Sequence, residues 1–163
     1  MKSFANTSTG ANPGNMSVFN RAWNELGDES AADRFRSVVE YLRRGPDEVP
    51  LEDRLSRLID PEDNVGMTGF RESLLTKVLC IVEPERFLPI LIYSSEAGGK
   101  RQTAESVFGL SLPPAAAKTS MTRGRVACWS NDLLVRALGD GCVDLQHASS
   151  FLWWAKDQTP VQR

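Results

Sequence analysis

The chain has 163 residues, 41% of them hydrophobic and 25% charged, with a net charge of −2. That length supports one ordinary core and makes two independent cores a stretch. The composition excludes a disordered or collagen-like chain, and the near-neutral balance excludes a wholesale polyanion binder.

Residues 1–15, MKSFANTSTGANPGN, are small and polar and read as a flexible, disordered tail. Met16 to Leu26 reads as a short helix through Phe19, Ala22, Trp23 and Leu26, stopped by Gly27. Ser30 with Asp33 three residues on resembles a capping box opening a second helix. Phe35, Val38, Val39 and Leu42 form its inner stripe, and Arg43-Arg44-Gly45-Pro46 closes it with basic residues at the negative dipole end. Pro50 to Ile59 reads as a third helix with Leu51, Leu55, Leu58 and Ile59 inward. Asp60-Pro61-Glu62-Asp63-Asn64 makes the turn after it.

The most apolar helix follows. Phe70, Leu74, Val78, Ile81 and Val82 fall at helical spacings, and Leu75 and Leu79 widen the stripe to most of the circumference. Such a helix is nearly surrounded by protein. Pro84 stops it by lacking an amide donor and by forcing Glu83 into extended geometry. Phe87 to Tyr93 is the one β-like stretch, and without a ladder partner it reads as a buried connector.

Ser94 to Gly99 is a loop, and Lys100 to Phe108 a helix stopped by Gly109. Ser111 to Lys118 loops around two prolines. A helix then begins between Ser120 and Arg125 and runs to Leu138, with Trp129, Leu133, Leu134, Ala137 and Leu138 inward. Ser130-Asn131-Asp132 favour caps and mark a candidate break in it. The last helix spans Asp144 to Lys156 with Leu145, Ala148, Leu152 and Ala155 on one side. These elements predict an all-α fold, a single orthogonal helical bundle of about six to seven helices over 16–158, with 159–163 as a C-terminal tail.

Residues able to carry chemistry are few. His147 is the lone histidine and no GxSxG elbow supplies a nucleophile. Gly98-Gly99-Lys100-Arg101 before a helix could hold phosphate, but the nucleotide loop GxxxxGK[ST] is not met. Glu83 and Glu85 flank Pro84, with Arg86 beside them for a local ion pair or a helix-end cap. Cys80, Cys128 and Cys142 are too few for a disulfide framework and suggest a reducing compartment. No secretory leader or membrane-length apolar run appears, so the expected location is the cytoplasm. No cofactor is called for.

Charge is unevenly spread. Asp28 to Asp63 holds 11 acidic and 6 basic residues, whereas Lys100 to Arg136 holds 6 basic against two acidic. Lys100, Arg101, Arg123, Arg125 and Arg136 therefore form a candidate nucleic-acid face. Trp153-Trp154 beside Phe151 is a dense aromatic group. Adjacent helical residues point about 100° apart, so one tryptophan is expected in the core and the other over a partner or a base.

Several of these segments, taken in order, resemble a known family. They are Gly66-Met67-Thr68-Gly69, Leu74-Leu75-Thr76-Lys77, Glu83-Pro84-Glu85-Arg86-Phe87-Leu88-Pro89, Gly99-Lys100-Arg101 before a helix, Ser130-Asn131-Asp132-Leu133-Leu134 and Phe151-Leu152-Trp153-Trp154. The set is similar to the helical region upstream of the motor in McrB-like AAA+ proteins of modification-dependent restriction and related bacterial defence systems. The likeness covers about residues 50 to 157, and none of its motifs is catalytic. No Walker A, Walker B, arginine finger or endonuclease pattern occurs before Arg163, so nucleotide hydrolysis carries over to no residue here.

The resemblance implies the accessory module alone, working with an AAA+ ATPase or nuclease subunit. The leading expectation is a non-catalytic helical accessory domain that couples target recognition to that ATPase, with Trp153 and Trp154 as docking residues. The alternative is a stand-alone DNA-binding module, whose five basic contacts predict a log–log salt slope of about −4 to −5. A small enzyme built around His147 is the third reading.

Overall fold

A computed structural model describes residues 1–8, 11–60, 65–114 and 122–158. Within them the chain runs helix after helix, through eight α-helices and no strand. The expected turn at 61–64, the second half of the proline loop with the residues after it (115–121) and the tail at 159–163 lie outside the described residues.

The N-terminus departs from expectation. Lys2–Asn6 forms a helix, α1, inside the stretch read as a disordered tail. Its Ala5 is buried, and Phe4 meets Phe35 edge-on at 6.2 Å. Five residues cannot hold a helix unaided, so its fixture is tertiary. The buried Lys77 donates from Nζ to the carbonyl of Phe4 at 2.8 Å and to that of Thr7. Asn6 Nδ2 donates to Asn20 Oδ1 at 2.9 Å. Composition could not reveal this, because the lysine that fixes α1 lies 73 residues away.

Helices α2 (Ser17–Leu26) and α3 (Asp28–Arg44) are separated by Gly27 alone, at φ +78°. Helix α3 opens two residues before Ser30, so the expected capping box does not form. Asp28 and Glu29 fill its first turn, where carboxylates suit the dipole. Asp28 also accepts the indole N–H of Trp23 at 2.6 Å, which ties the two helices at their junction. Phe19, Trp23, Phe35 and Phe70 then pack as one aromatic group, with Phe35 and Phe70 stacked at 4.8 Å. Such pairs add about 0.5–1.5 kcal/mol each beyond area burial.

Helix α4 (Leu51–Ile59) buries Leu55, Leu58 and Ile59 as its spacing predicts. Helix α5 (Glu72–Val82) is enclosed at every position from Leu74 to Cys80, while Ile81 is exposed. Phe70 is buried just before α5 rather than on it. Glu83 leaves the helix at φ −133°, ψ 62°, outside the helical region but short of the extended geometry expected before Pro84.

Beyond Pro84 the chain crosses the molecule as the extended connector Phe87–Tyr93, and side chains replace its missing ladder partner. Asn131 accepts the Leu88 N–H at 2.9 Å through Oδ1 and donates to the Arg86 carbonyl at 2.8 Å through Nδ2. Glu72 Oε1 accepts the Tyr93 N–H at 2.7 Å, and Cys80 Sγ donates to the Leu88 carbonyl at 3.3 Å. Buried main-chain groups must be satisfied somewhere, and these side chains do it.

Helices α6 (Lys100–Phe108), α7 (Arg123–Leu138) and α8 (Leu145–Ala155) complete the bundle. Helix α7 is continuous through Ser130-Asn131-Asp132, so the candidate break is absent. Its buried face also differs from the expected one. Gly124, Ala127, Cys128, Ser130, Asn131 and Leu134 point inward, whereas Trp129, Leu133 and Leu138 are half-buried and Ala137 is exposed. Small residues face in because α7 lies hard against α4 on one side and the connector on the other.

The buried apolar side chains fall into two clusters. One gathers α1 to α5 with Phe87, Leu91, Ala127 and Cys128. The other gathers Leu88, Ile90, Tyr93, Ala104, Leu112, Leu134, Ala148 and Leu152. Buried Thr76, Lys100 and Asn131, with half-buried Glu72, bring polar groups to the α5, α6 and α7 helices that border both. No helix among the described residues is long and apolar enough to cross a membrane.

Candidate functional site

Helix α8 starts where Asp144 accepts the His147 backbone N–H at 2.6 Å, an N-cap that fixes its first turn. Ala148, Ser149 and Leu152 turn inward, and Ser149 Oγ donates to the Pro89 carbonyl at 3.4 Å. This inner face is made of small side chains plus one leucine. The bulky residues are left outside.

Phe151 is 47% exposed, Trp153 52% and Trp154 60%. Both tryptophans are thus outside the core, where one was expected inside it. Phe151 and Trp154 stand one turn apart with ring centroids at 6.0 Å. Trp153 occupies the other flank, with Lys156 Nζ 4.4 Å above its ring and that ammonium also 2.8 Å from Asp157 Oδ1. The loop before α6 approaches closely here. A Cβ on Gly98 would meet Lys156 Cε at 2.9 Å and Trp153 Cζ3 at 3.3 Å. Glycine therefore lets that loop support one edge of the aromatic face.

Near the start of α8 lies a cleft of about 580 Å³, lined by Pro84, Val135, Leu138, Cys142, Val143 and Leu145 among others. Val143 is 90% exposed beside it. Its carboxylates are Glu85 and Asp144, and the second is already spent as the helix cap. His147 is exposed and outside this lining. The cleft and the aromatic face together present exposed apolar surface at the two ends of α8.

The five candidate basic residues are not brought together as a face. Lys100 is 1% exposed, which removes it from any surface that could meet a phosphate. Arg101 is half-buried, donating to Glu105 at 3.0 Å and to the Leu112 carbonyl at 3.2 Å. Arg125 grips Asp53 bidentately at 2.7 and 2.8 Å and holds that carboxyl below the usual range. Arg123 pairs with Asp60 at 3.2 Å. Arg136 is exposed, its Nε bonded to the Asp132 carbonyl, about 20 Å along α7 from Arg123.

The amides at the start of α6 are equally committed. Lys100 N donates to the Ile92 carbonyl at 3.0 Å and Arg101 N to that of Tyr93 at 2.8 Å. Gln102 Oε1 takes the N–H groups of Ser95 and Gly99. That helix end receives the connector instead of an anion. Arg86 pairs with Glu83 at 3.4 Å, the local ion pair the sequence suggested.

Burial pushes the thiols of Cys80 and Cys128 up to about 11 each. Cys142 is half-buried at the cleft and free. A thiol-specific chromogenic reagent at pH 8 should therefore titrate one cysteine per folded chain and three in denaturant. Rapid modification of two or more in the native protein would contradict the packing around α5 and α7. Among the described residues no group of three or more His, Cys, Asp or Glu is placed to hold a metal ion.

No protein-family model, curated protein or solved structure matches this chain.

Proposed function

We propose that this chain is a non-catalytic helical accessory domain that docks on a protein partner through the outer face of α8. One observation carries the reading. Phe151, Trp153 and Trp154 stand 47–60% exposed on a helix whose inner face is already satisfied by Ala148, Ser149 and Leu152. Tryptophans so placed are costly to leave in water and are the residue type that dominates interface energetics. The motif order resembling McrB-like proteins supplies the kind of partner, an AAA+ ATPase or nuclease subunit of a bacterial defence system. Coupling target recognition to that subunit is the role the resemblance supports. Three unpaired cysteines support a reducing, cytoplasmic setting for it.

The experiment is co-elution on size-exclusion chromatography with the products of the neighbouring genes. Wild type should shift into the complex. Trp153→Ala and Trp154→Ala should each weaken binding roughly 30-fold, the value of an interface anchor near 2 kcal/mol. Far-ultraviolet circular dichroism should be unchanged in both. A chain that stays monomeric with every neighbouring product sinks the proposal. Duplex DNA binding at low salt with a slope near −4 to −5 would turn it toward the nucleic-acid reading.

A further inference from the structure

Helix α8 runs between two recesses, and both are anionic. At its start is the cleft of about 580 Å³, whose lining carries the carboxylates of Glu85 and Asp144 and no lysine or arginine. At its end is a recess of about 460 Å³ shared with α6, lined by Glu96, Glu105 and Asp157 against a single cation, Lys156. Glu105 is paired with Arg101 at 3.0 Å and Asp157 with Lys156 at 2.8 Å. Glu85, Glu96 and Asp144 make no ion pair among the described residues. Nearby cations do not offset them. Arg86 pairs with Glu83, and Arg136, next to Val135 in the cleft wall, points about 100° away around α7 and bonds to the Asp132 carbonyl. The exposed rings connect the two recesses. Ala148 lines the cleft, Phe151 and Trp154 each follow three residues on and continue its row, and Trp153 borders the far recess beside Gly98 and Lys156.

We propose that the segment bound by α8 is a polypeptide whose apolar side chains are bordered by lysine or arginine. This rests on α8 being the docking face and names the chemistry of what docks there. Charge complementarity selects the partner. Carboxylates without counter-ions flank the apolar rings, so a basic border gains at both ends of the helix and an acidic one is repelled. Phosphate fares no better. The helix N-termini that open on the recesses offer it no amides, because the His147 N–H is taken by Asp144 and those of Lys100 and Arg101 by the Ile92 and Tyr93 carbonyls. Nucleic acid stacked on the tryptophans would carry its backbone charges into this field. Trp153 already makes the favoured contact. Its ring holds the Lys156 ammonium at 4.4 Å, with Asp157 as counter-ion, whereas Trp154 is 60% exposed and carries no cation among the described residues.

The test uses the full chain and two synthetic amphipathic helical peptides with the same length and leucine stripe. One is bordered by arginines, the other by glutamates, and duplex DNA is the third ligand. Binding is read from the indole N–H resonances at low and at physiological salt, with each ligand raised to about 1 mM. The arginine peptide should shift the Trp153 and Trp154 signals, less strongly as salt rises, while the glutamate peptide and DNA should not. Glu85→Gln combined with Glu96→Gln should weaken that binding about 3- to 10-fold and flatten its salt dependence. Both side chains are exposed and make no bond, so this variant should fold as wild type does. No shift with the arginine peptide overturns the proposal. So does equal or tighter binding of the glutamate peptide or DNA, or a double variant that binds the arginine peptide as wild type does. A neighbouring gene product that co-elutes with wild type and the double variant alike, but not with Trp154→Ala, overturns the basic partner alone and leaves α8 as the docking face.

Discussion

Gly124→Ala should destabilise this protein by about 3 kcal/mol or more, a shift of roughly 6–12 °C in Tm for a chain of this size. Helix propensity alone argues the other way, favouring alanine by at most about 1 kcal/mol. Sterics decide the sign. A Cβ at 124 would lie 2.1 Å from the Glu52 carbonyl oxygen, 2.5 Å from Ser56 N and 2.6 Å from Ser56 Oγ. Two of those atoms are backbone of α4 and cannot swing aside. Ser56 Oγ is also tethered, donating to the Glu52 carbonyl at 2.8 Å while accepting the Gly124 N–H at 3.0 Å. Relief therefore requires α4 and α7 to separate, and Leu55, Leu58 and Ala127 to lose contact with it. Gly141→Ala is the control, since its Cβ would meet only the Leu138 carbonyl at 3.7 Å; it should change stability by less than about 0.5 kcal/mol. Equal, small effects at both positions in a thermal-melt comparison would show that α4 and α7 are not packed backbone to backbone.

The same pair of helices shows where sequence reasoning succeeded and where it stopped. Large apolar side chains at helical spacing mark a buried face well, as for Phe35, Val38 and Leu42 on α3 or Leu55, Leu58 and Ile59 on α4. Close approach selects small residues instead. On α7 the signal is therefore Gly124, Ala127, Cys128 and Ser130, and a search for bulky residues picks Trp129 and Leu133 on the wrong flank. Helix α8 repeats the lesson with Ala148 and Ser149 inside and both tryptophans outside.

Polar residues were the second blind spot. Lys77, Lys100 and Asn131 are all buried, each for a partner or neighbour far away in sequence. A periodicity reading treats charges as surface and cannot see a connector that needs an amide donor and acceptor 43 residues away. One clue was present. Asn131 stood among cap-forming residues in mid-helix, and an asparagine there must bond to something. The aromatic face of α8 was half legible: Trp153-Trp154 stood out as a pair, but which side of α8 was inner depended on the small residues beside them.

Removing Met1 to Thr7 should cost about 3–5 kcal/mol, because it takes from the Lys77 ammonium the two carbonyls that hold it and uncovers the core beneath Phe4 and Ala5. In the intact chain that ammonium bonds to the carbonyls of Phe4 and Thr7 and lies 4.9 Å from the Phe4 ring centroid. Lys77→Met in the full chain should be far milder, within about 1.5 kcal/mol, since a thioether of similar length fills the site without a charge to satisfy. The two changes should not add. In the Lys77→Met background the truncation forfeits only the apolar contacts of Phe4 and Ala5, so the double-mutant cycle should show a coupling of about 1.5 kcal/mol or more. Additivity within about 0.5 kcal/mol would mean that α1 is held by packing alone. pH gives an independent reading. Burial pushes the Lys77 pKa below its ordinary 10.5, so between the folded value and 10.5 the unfolded chain binds more protons at this group. Stability must then rise with pH across that window, and the cost of the buried charge is present in full below it. Buried Lys100 carries a shift of the same sign, so the pH series has to be read as wild type minus Lys77→Met. That difference should move toward the wild type as pH climbs to 10.5, and should flatten in the truncated chain, where water reaches the ammonium. A difference independent of pH would mean that the ammonium is solvated, and that α1 does not bury it.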